Sequence, residues 1–364
     1  MSAGRTTIAD HLPFLRTRSP LKLLRAGLSL KRRPQPRPNI RARTHELISE
    51  RAGRLAVYTN VGDFAYSGAR PLVLLHGVHT DASAYELNTL FEALREERPI
   101  YALDLPGFGC SERGEREYRP EVYVAAITTL LEQASHGALS ADVVAVGLTS
   151  EYAARMAIVR PDLVHSLTLI SPTGFAVKRE QDSFERASRQ GKPVLPVRLA
   201  AKLGLTPLLY RAVATERSLR SFFRRAAGAG SELRDDFVRY CFNAAHQAGA
   251  DQAGVAYLSG ALHPAGNPQS VYTRVHCPTL ILYADEAKPH YGSLDTFVKW
   301  HEYFDAHKVD DANPSHDASV QQLLPQMHAF WQRVGERDIE EQSGVFQTGA
   351  NSDDARDVAA VSSY

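Results

Sequence analysis

Cysteine is scarce in this chain of 364 residues. The three present, Cys110, Cys241 and Cys277, lie far apart and form no CxxC pair. That excludes a disulfide framework or a thiolate zinc site and makes a reducing, cytoplasmic compartment the default. No apolar run approaches the ~18 residues a membrane span needs. The N-terminus also lacks the uninterrupted apolar stretch of a signal peptide. HExxH, GxxxxGK[ST] and GxGxxG are all missing, so neither a metal nor a nucleotide cofactor is expected. With 44% hydrophobic and 23% charged residues, what remains is ordinary globular composition, long enough for a sizeable core.

The net charge of +1 hides an asymmetry. Residues 1–45 hold eleven Lys/Arg and one acid, Asp10, whereas 334–364 hold seven acids against Arg337 and Arg356. The basicity belongs to an arm and not to the body, which argues against nucleic acid as a partner. Within the arm, residues 12–33 read as a basic amphipathic segment, from Leu12 and Phe14 to Leu28 and Leu30, laced with Arg16, Arg18, Lys22, Arg25 and Lys31. A helix of this kind can touch an anionic membrane surface, pack on its own body, or act as a targeting arm. A proline-rich linker, Arg33–Pro38, follows. The acidic 334–364 segment, Ser/Asp/Ala/Gly-rich from Gly344 on, is expected to be disordered.

Between these ends, short apolar runs predict buried parallel strands at Pro71–Leu75, Ile100–Leu103, Val143–Val146, Leu167–Ile170 and Thr279–Tyr283. Helical patterns over Ala84–Arg95, Glu121–Gln133 and Ser150–Val159 separate them. Such alternation implies an α/β sheet covered on both faces, with ligands beyond the C-terminal strand ends. Residues 176–270 break the rhythm and read as helical, as in Leu199–Leu203, Leu208–Ala214 and Phe237–Ala248.

Loops after the first three strands read Leu75-His76-Gly77-Val78, Asp104-Leu105-Pro106-Gly107-Phe108-Gly109-Cys110-Ser111 and Ala145-Val146-Gly147-Leu148-Thr149-Ser150-Glu151. In this order and spacing they resemble the α/β-hydrolase superfamily over about residues 55–333. The resemblance implies an α/β-hydrolase core at 46–175 and 271–333, with 176–270 in place of a helical cap. It also implies a hydrolase acting on an ester or acyl small molecule, and the cap suggests an apolar one. The third loop stands where the family has its nucleophile elbow, G-x-S-x-G. Counting back from Pro161 places Gly147 at the serine position, and glycine carries no nucleophile. A rival register makes Thr149 or Ser150 the nucleophile; as a bland alternative, their hydroxyls cap the following helix.

The same resemblance assigns the catalytic histidine to His316, in Asn313-Pro314-Ser315-His316. It puts the acid in Ala284-Asp285-Glu286-Ala287, at Asp285 or alternatively Glu286. Backbone N–H groups of Val78 and Leu148 would form the oxyanion hole, and His76, Gly77 and Glu151 would border the pocket. Asp104 and Ser111 fit positions that fix the second loop. Cys110 has nothing beside it to lower its pKa and is not expected to be reactive. Three readings stay open: a hydrolase with a degenerate elbow, a non-catalytic ligand- or partner-binding relative, and a non-hydrolytic enzyme using His316.

Overall fold

The computed structural model describes residues 40–63, 68–135, 139–176, 214–220, 235–284 and 291–350, together with Pro38, Leu205, Tyr210 and Arg211. Among the described residues, eight strands form one sheet in the order β1-β2-β4-β3-β5-β6-β7-β8. They are β1 (Arg43–Ser49), β2 (Gly53–Thr59), β3 (Leu72–Leu75), β4 (Ile100–Leu103), β5 (Ala141–Val146), β6 (Val164–Ile170), β7 (Thr279–Ala284) and β8 (Phe304–Val309). The β1–β2 and β2–β4 pairings are antiparallel. From β4 across to β8 every pairing is parallel.

The strands sit inside the sheet because their side chains are apolar on both faces, and the pleat sends alternate residues to opposite sides. Val73, Leu75, Val143, Ala145, Leu167, Leu169 and Ile281 enter one core. Leu72, Leu74, Val144, Ile170, Leu280 and Leu282 enter the other. Helices α2 (Pro120–Ala134) and α3 (Thr149–Val159) fill the first core through Tyr123, Ile127, Leu130, Tyr152 and Met156. The second is filled by a 3₁₀ turn at Ala84–Leu87, by α1 (Asn88–Leu94), and by Val320, Leu323, Met327 and Phe330 of a long C-terminal helix.

Three strands were not foreseen, and two expectations need correction. β1 and β8 escaped because charged and exposed residues interrupt them, as in Asp305, His307 and Lys308 between the buried Phe304 and Val309, whereas β2 is buried over Leu55–Thr59 and no such pattern hides it. Strand β1 begins at Arg43, so the core starts inside the segment read as a basic arm ending at 45. Residues 12–33 lie outside the described residues. At the other end the helix runs over Asp317–Ala350, so 334–350 continue it and are not a structureless tail. Beyond 350 the chain lies outside the described residues.

Of the segment read as a cap, Leu199–Leu203 lies outside the described residues, and so does most of Leu208–Ala214. Helices α4 (Asp235–Ala245), α5 (Ala250–Ser259) and α6 (Gln269–Tyr272) are present there. A short α7 (Leu294–Lys299) precedes β8, and the C-terminal helix is α8. Tyr85 anchors α4 to the core: its hydroxyl donates to Asp236 Oδ2 at 2.8 Å, and its ring packs on Tyr240 and Phe237.

Candidate functional site

Because β3, β5, β6, β7 and β8 are parallel, the loops leaving their C-terminal ends share one edge of the sheet. Ligands of open α/β sheets bind at this edge. His76-Gly77-Val78 follows β3 and Gly147-Leu148 follows β5, and the two strands pair Leu75 with Ala145. The loops are also tied directly: the Thr149 hydroxyl donates to the His76 carbonyl at 2.7 Å.

Gly147 makes the strand-to-helix turn. Its φ is +58°, and a Cβ built on it meets nothing within 4 Å. Its N–H donates to Ile170 O at 2.9 Å, and α3 begins two residues later. A side chain here is opposed by backbone conformation alone, since the left-handed region disfavours residues with a Cβ. Thr149 and Ser150 are fully buried, and Ser150 Oγ donates to Ala145 O at 3.2 Å. Both hydroxyls are therefore committed to backbone carbonyls. Thr149→Val, which leaves the His76 carbonyl unsatisfied, is expected to lower stability by about 1–3 kcal/mol in urea unfolding.

His76 is also fully buried. Its Nε2 accepts the Leu105 N–H at 3.0 Å, which leaves Nδ1–H to donate to Gly77 O at 2.6 Å. Burial lowers its pKa, in keeping with this neutral tautomer. The ring thus splices the first two loops together and presents no free nitrogen to a pocket. Asp104 performs the same service for the second loop. It accepts from Tyr58 Oη at 2.7 Å, Ala84 N at 2.8 Å and Cys110 N at 2.7 Å. Ser111 Oγ accepts from Ala56 N at 2.9 Å and donates to Asp104 O. Burial raises the pKa of Cys110, with Asp104 adding to it, so its thiol is poorly suited to nucleophilic work.

Val78 and Leu148 both have buried side chains, and each directly follows a glycine, Gly77 in one loop and the turn residue Gly147 in the other. Glu151, in the first turn of α3, is fully buried; its Oε1 accepts from Thr173 Oγ1 at 2.5 Å, and Arg155 lies 3.7 Å from Oε2. It ties the β5 and β6 loops together. Two residues before Thr173 is Ser171, which directly follows β6 and has φ +48°.

His316 sits in the loop between β8 and α8 and is 6% exposed. Its Nδ1 lies 3.3 Å from Asp311 Oδ2, and its Nε2 is buried with no hydrogen-bond partner. Asp311 is itself held by Ser319 Oγ and by the Asn313 N–H at 2.8 Å. The carboxylate beside His316 is thus Asp311. Asp285 and Glu286 lie outside the described residues. Nothing in the sequence singled out Asp311, one acid of a polar run, Asp310-Asp311-Ala312-Asn313. Its only signal was a position five residues before the histidine.

A second group, missed altogether, is His79. Its Nδ1 stands 3.1 Å from Asp81 Oδ1 and its Nε2 2.8 Å from Glu86 Oε1, all three side chains being buried. The ring lies against Gly77. Among the described residues, no group of three or more His, Cys, Asp or Glu side chains is placed to hold a metal ion.

The sequence profile of the alpha/beta hydrolase family matches residues 72–360. The chain belongs to that family. Solved α/β-hydrolases share its fold. A serine hydrolase of carbazole degradation, CarC, superposes with a TM-score of 0.60 at 12% identity, covering 80% of this chain and 99% of its own. The carboxylesterase CesB from Bacillus subtilis gives 0.56 at 15% identity, covering 85% and 96%. In sequence, this α/β-hydrolase is similar to a 1-acylglycerol-3-phosphate O-acyltransferase, ABHD5, of Rattus norvegicus. The two are 28% identical over 164 residues, 42% of this chain and 46% of the relative. The chain thus matches just under half the length of that relative. Among the described residues no helix is long and apolar enough to cross a membrane.

Proposed function

We propose that this α/β-hydrolase receives an ester or acyl small molecule at a hydrolase-like site whose elbow carries no nucleophile, so that conventional serine-hydrolase turnover is weak or absent. The observation that carries this reading is the turn at Gly147. It has the positive φ and the open space an elbow offers a serine, while the neighbouring hydroxyls of Thr149 and Ser150 are spent on backbone carbonyls. With no side chain there, an acyl-enzyme has no atom to form on.

What remains is a histidine with one nitrogen oriented by Asp311 and the other without a partner. An Nε2 that accepts a proton from water, with Nδ1–H held by the carboxylate, is a general base. This supports slow, water-based hydrolysis with no covalent intermediate. The acyl chemistry for which the ABHD5 relative is named agrees with an acyl-bearing ligand. An apolar ligand is supported by α4, within the 176–270 segment read as a cap, whose Phe237, Val238, Tyr240 and Cys241 form an apolar cluster.

Turnover of activated short- and medium-chain esters tests the reading, with a fluorophosphonate probe alongside. The wild type is expected to hydrolyse at most slowly and to remain unlabelled, and His316→Ala is expected to abolish that slow rate. Wild-type labelling at Thr149 or Ser150 would overturn it. A slow rate that survives His316→Ala would overturn the water-based route, leaving the site as one for ligand binding.

A further inference from the structure

Helix α8 crosses the edge of the sheet opposite Gly147, where β3, β4, β5 and β6 begin. Val320, Leu323, Met327, Phe330 and Val334 seat it in the second core. Its next turn stands over a cavity of about 280 Å³, lined among others by Arg70, Arg98, Asp142, His165, Trp331 and Gly335. A Cβ built on Gly335 meets nothing within 4 Å, and Ile339 is 66% exposed. A helix surface over a void has no atoms opposite to attract it, so packing holds this turn weakly. Asp338 ties it to the body instead: Oδ2 accepts from Arg70 Nη2 at 3.0 Å and lies 2.9 Å from His165 Nε2.

The other end of this link is buried. His165 Nδ1 lies 2.9 Å from Asp142 Oδ1, and Asp142 is 4% exposed. Ser166 Oγ donates to the same oxygen at 2.5 Å, and Arg98 pairs with Asp142 Oδ2. Burial alone would raise the Asp142 carboxyl, but the His165 hydrogen bond and Arg98 hold it below its ordinary value, so it stays an acceptor. Two ring nitrogens between two carboxylate oxygens require two N–H donors, and only imidazolium has both. Burial opposes that charge, but the hydrogen bond and charge of Asp142, helped by Asp338 and resisted by Arg70, outweigh it and raise the His165 pKa. Around the cavity, Arg70, Arg98 and protonated His165 balance Glu97, Asp142 and Asp338. Glu97 turns to His328 of α8 at 3.0 Å on the exposed rim. Cys277, near Asp142, stays a neutral thiol, its pKa pushed up by burial to about 12.

We propose that His165 is a proton-operated latch: as imidazolium it clamps the turns of α8 past Val334 to the sheet edge, and on losing its proton it releases them. A neutral ring has one N–H, so one nitrogen then turns a lone pair on a carboxylate oxygen. Asp142 is buried and has no water to turn to, whereas the Asp338 side chain is 31% exposed and keeps Arg70. The bond given up is therefore the one to α8. Its sign follows from linkage: a pKa raised on folding contributes fully below the ordinary value of 6.5 and is lost as pH climbs through the folded value. The latch opens toward alkaline pH.

The test is hydrogen exchange of the full chain, read by mass spectrometry and corrected for intrinsic rates, above and below the His165 pKa found by NMR titration of its ring protons. That pKa is expected above 6.5 in the wild type. On crossing it, protection of residues 336–342 should fall at least about ten-fold, the effect of one charge-assisted hydrogen bond. Helix α2 should keep its protection. Asp338→Asn, which leaves Asp142, Arg98 and His165 in place, should abolish the step and lower the His165 pKa. His165→Gln should show the fast exchange of the high-pH state at both pH values. Circular dichroism verifies that both variants are folded. The proposal is overturned by pH-independent protection in the wild type, or by an equal loss in α2. It is also overturned by a step that survives in either folded variant, which would assign the effect to His328 and Glu97.

Discussion

Gly147→Ser is expected to become labelled by a fluorophosphonate and to hydrolyse activated esters at least about 10²-fold faster than the wild type. It adds the missing nucleophile to a base already present, and loss of a triad serine costs roughly 10⁶ in turnover. The new hydroxyl enters space that holds no atom within 4 Å of its Cβ. The backbone is already at φ +58°, so the turn need not be remade. The cost is conformational: a residue with a Cβ in the left-handed region loses on the order of 1–3 kcal/mol. A lower melting temperature together with a gained activity is therefore the expected pair of results. A folded Gly147→Ser protein that neither labels nor turns over would mean that His316 Nε2 does not reach the elbow. The hydrolase-like reading would then give way to pure ligand binding. Adding Asp311→Asn to Gly147→Ser separates the roles further, since an amide there keeps the shape but no longer stabilises an imidazolium. Turnover should fall while the folded state persists.

Much of this was legible because two different physical rules wrote it into the sequence. Parallel strands covered on both faces are apolar at most positions, so Ile100–Leu103 and Thr279–Tyr283 stand out from the charged chain around them. Turns with positive φ need glycine, so Gly109, whose Cβ would fall on the Asp104 carboxylate, and Gly147 mark their loops. Neither rule reaches β1, where Arg43, His45 and Glu46 alternate with Leu47 on an edge pair. Nor does either reach residues 334–350, where a polar stretch continues a helix begun by apolar residues. The carboxylate beside His316 was hidden for another reason. A hydrogen bond between residues five apart in one loop depends on the loop's path, and the Asx-type contact of Asp311 with Asn313 N is what bends it. His79 was passed over because a histidine between two acids looks like a solvated loop until burial is known.

That burial makes His79 the side chain whose removal should be felt most. Asp81 and Glu86 each approach one of its ring nitrogens, and since two carboxylate oxygens call for two N–H donors, the ring is an imidazolium. Burial disfavours that charge, but Glu86 and then Asp81 more than reverse the effect, and the pKa is pushed up to about 10. His79→Leu leaves two buried carboxylates facing an apolar group, and removing one partner of a buried ion pair costs about 3–5 kcal/mol. The sign of the pH dependence follows from linkage. A group whose pKa rises on folding contributes fully below its unfolded value, near 6.5, and loses that contribution as pH rises through about 10. Urea unfolding of wild type and His79→Leu is therefore expected to differ most near pH 6.5 and to converge toward pH 10. A gap that stays constant across this interval would show that His79 acts by packing alone. Because Glu86 also holds the Ser83 N–H at 3.0 Å and the ring rests against Gly77, the same charge secures the loop that carries Val78. The gain of ester turnover in Gly147→Ser should accordingly be smaller in the double variant with His79→Leu, measured at a temperature where both are folded.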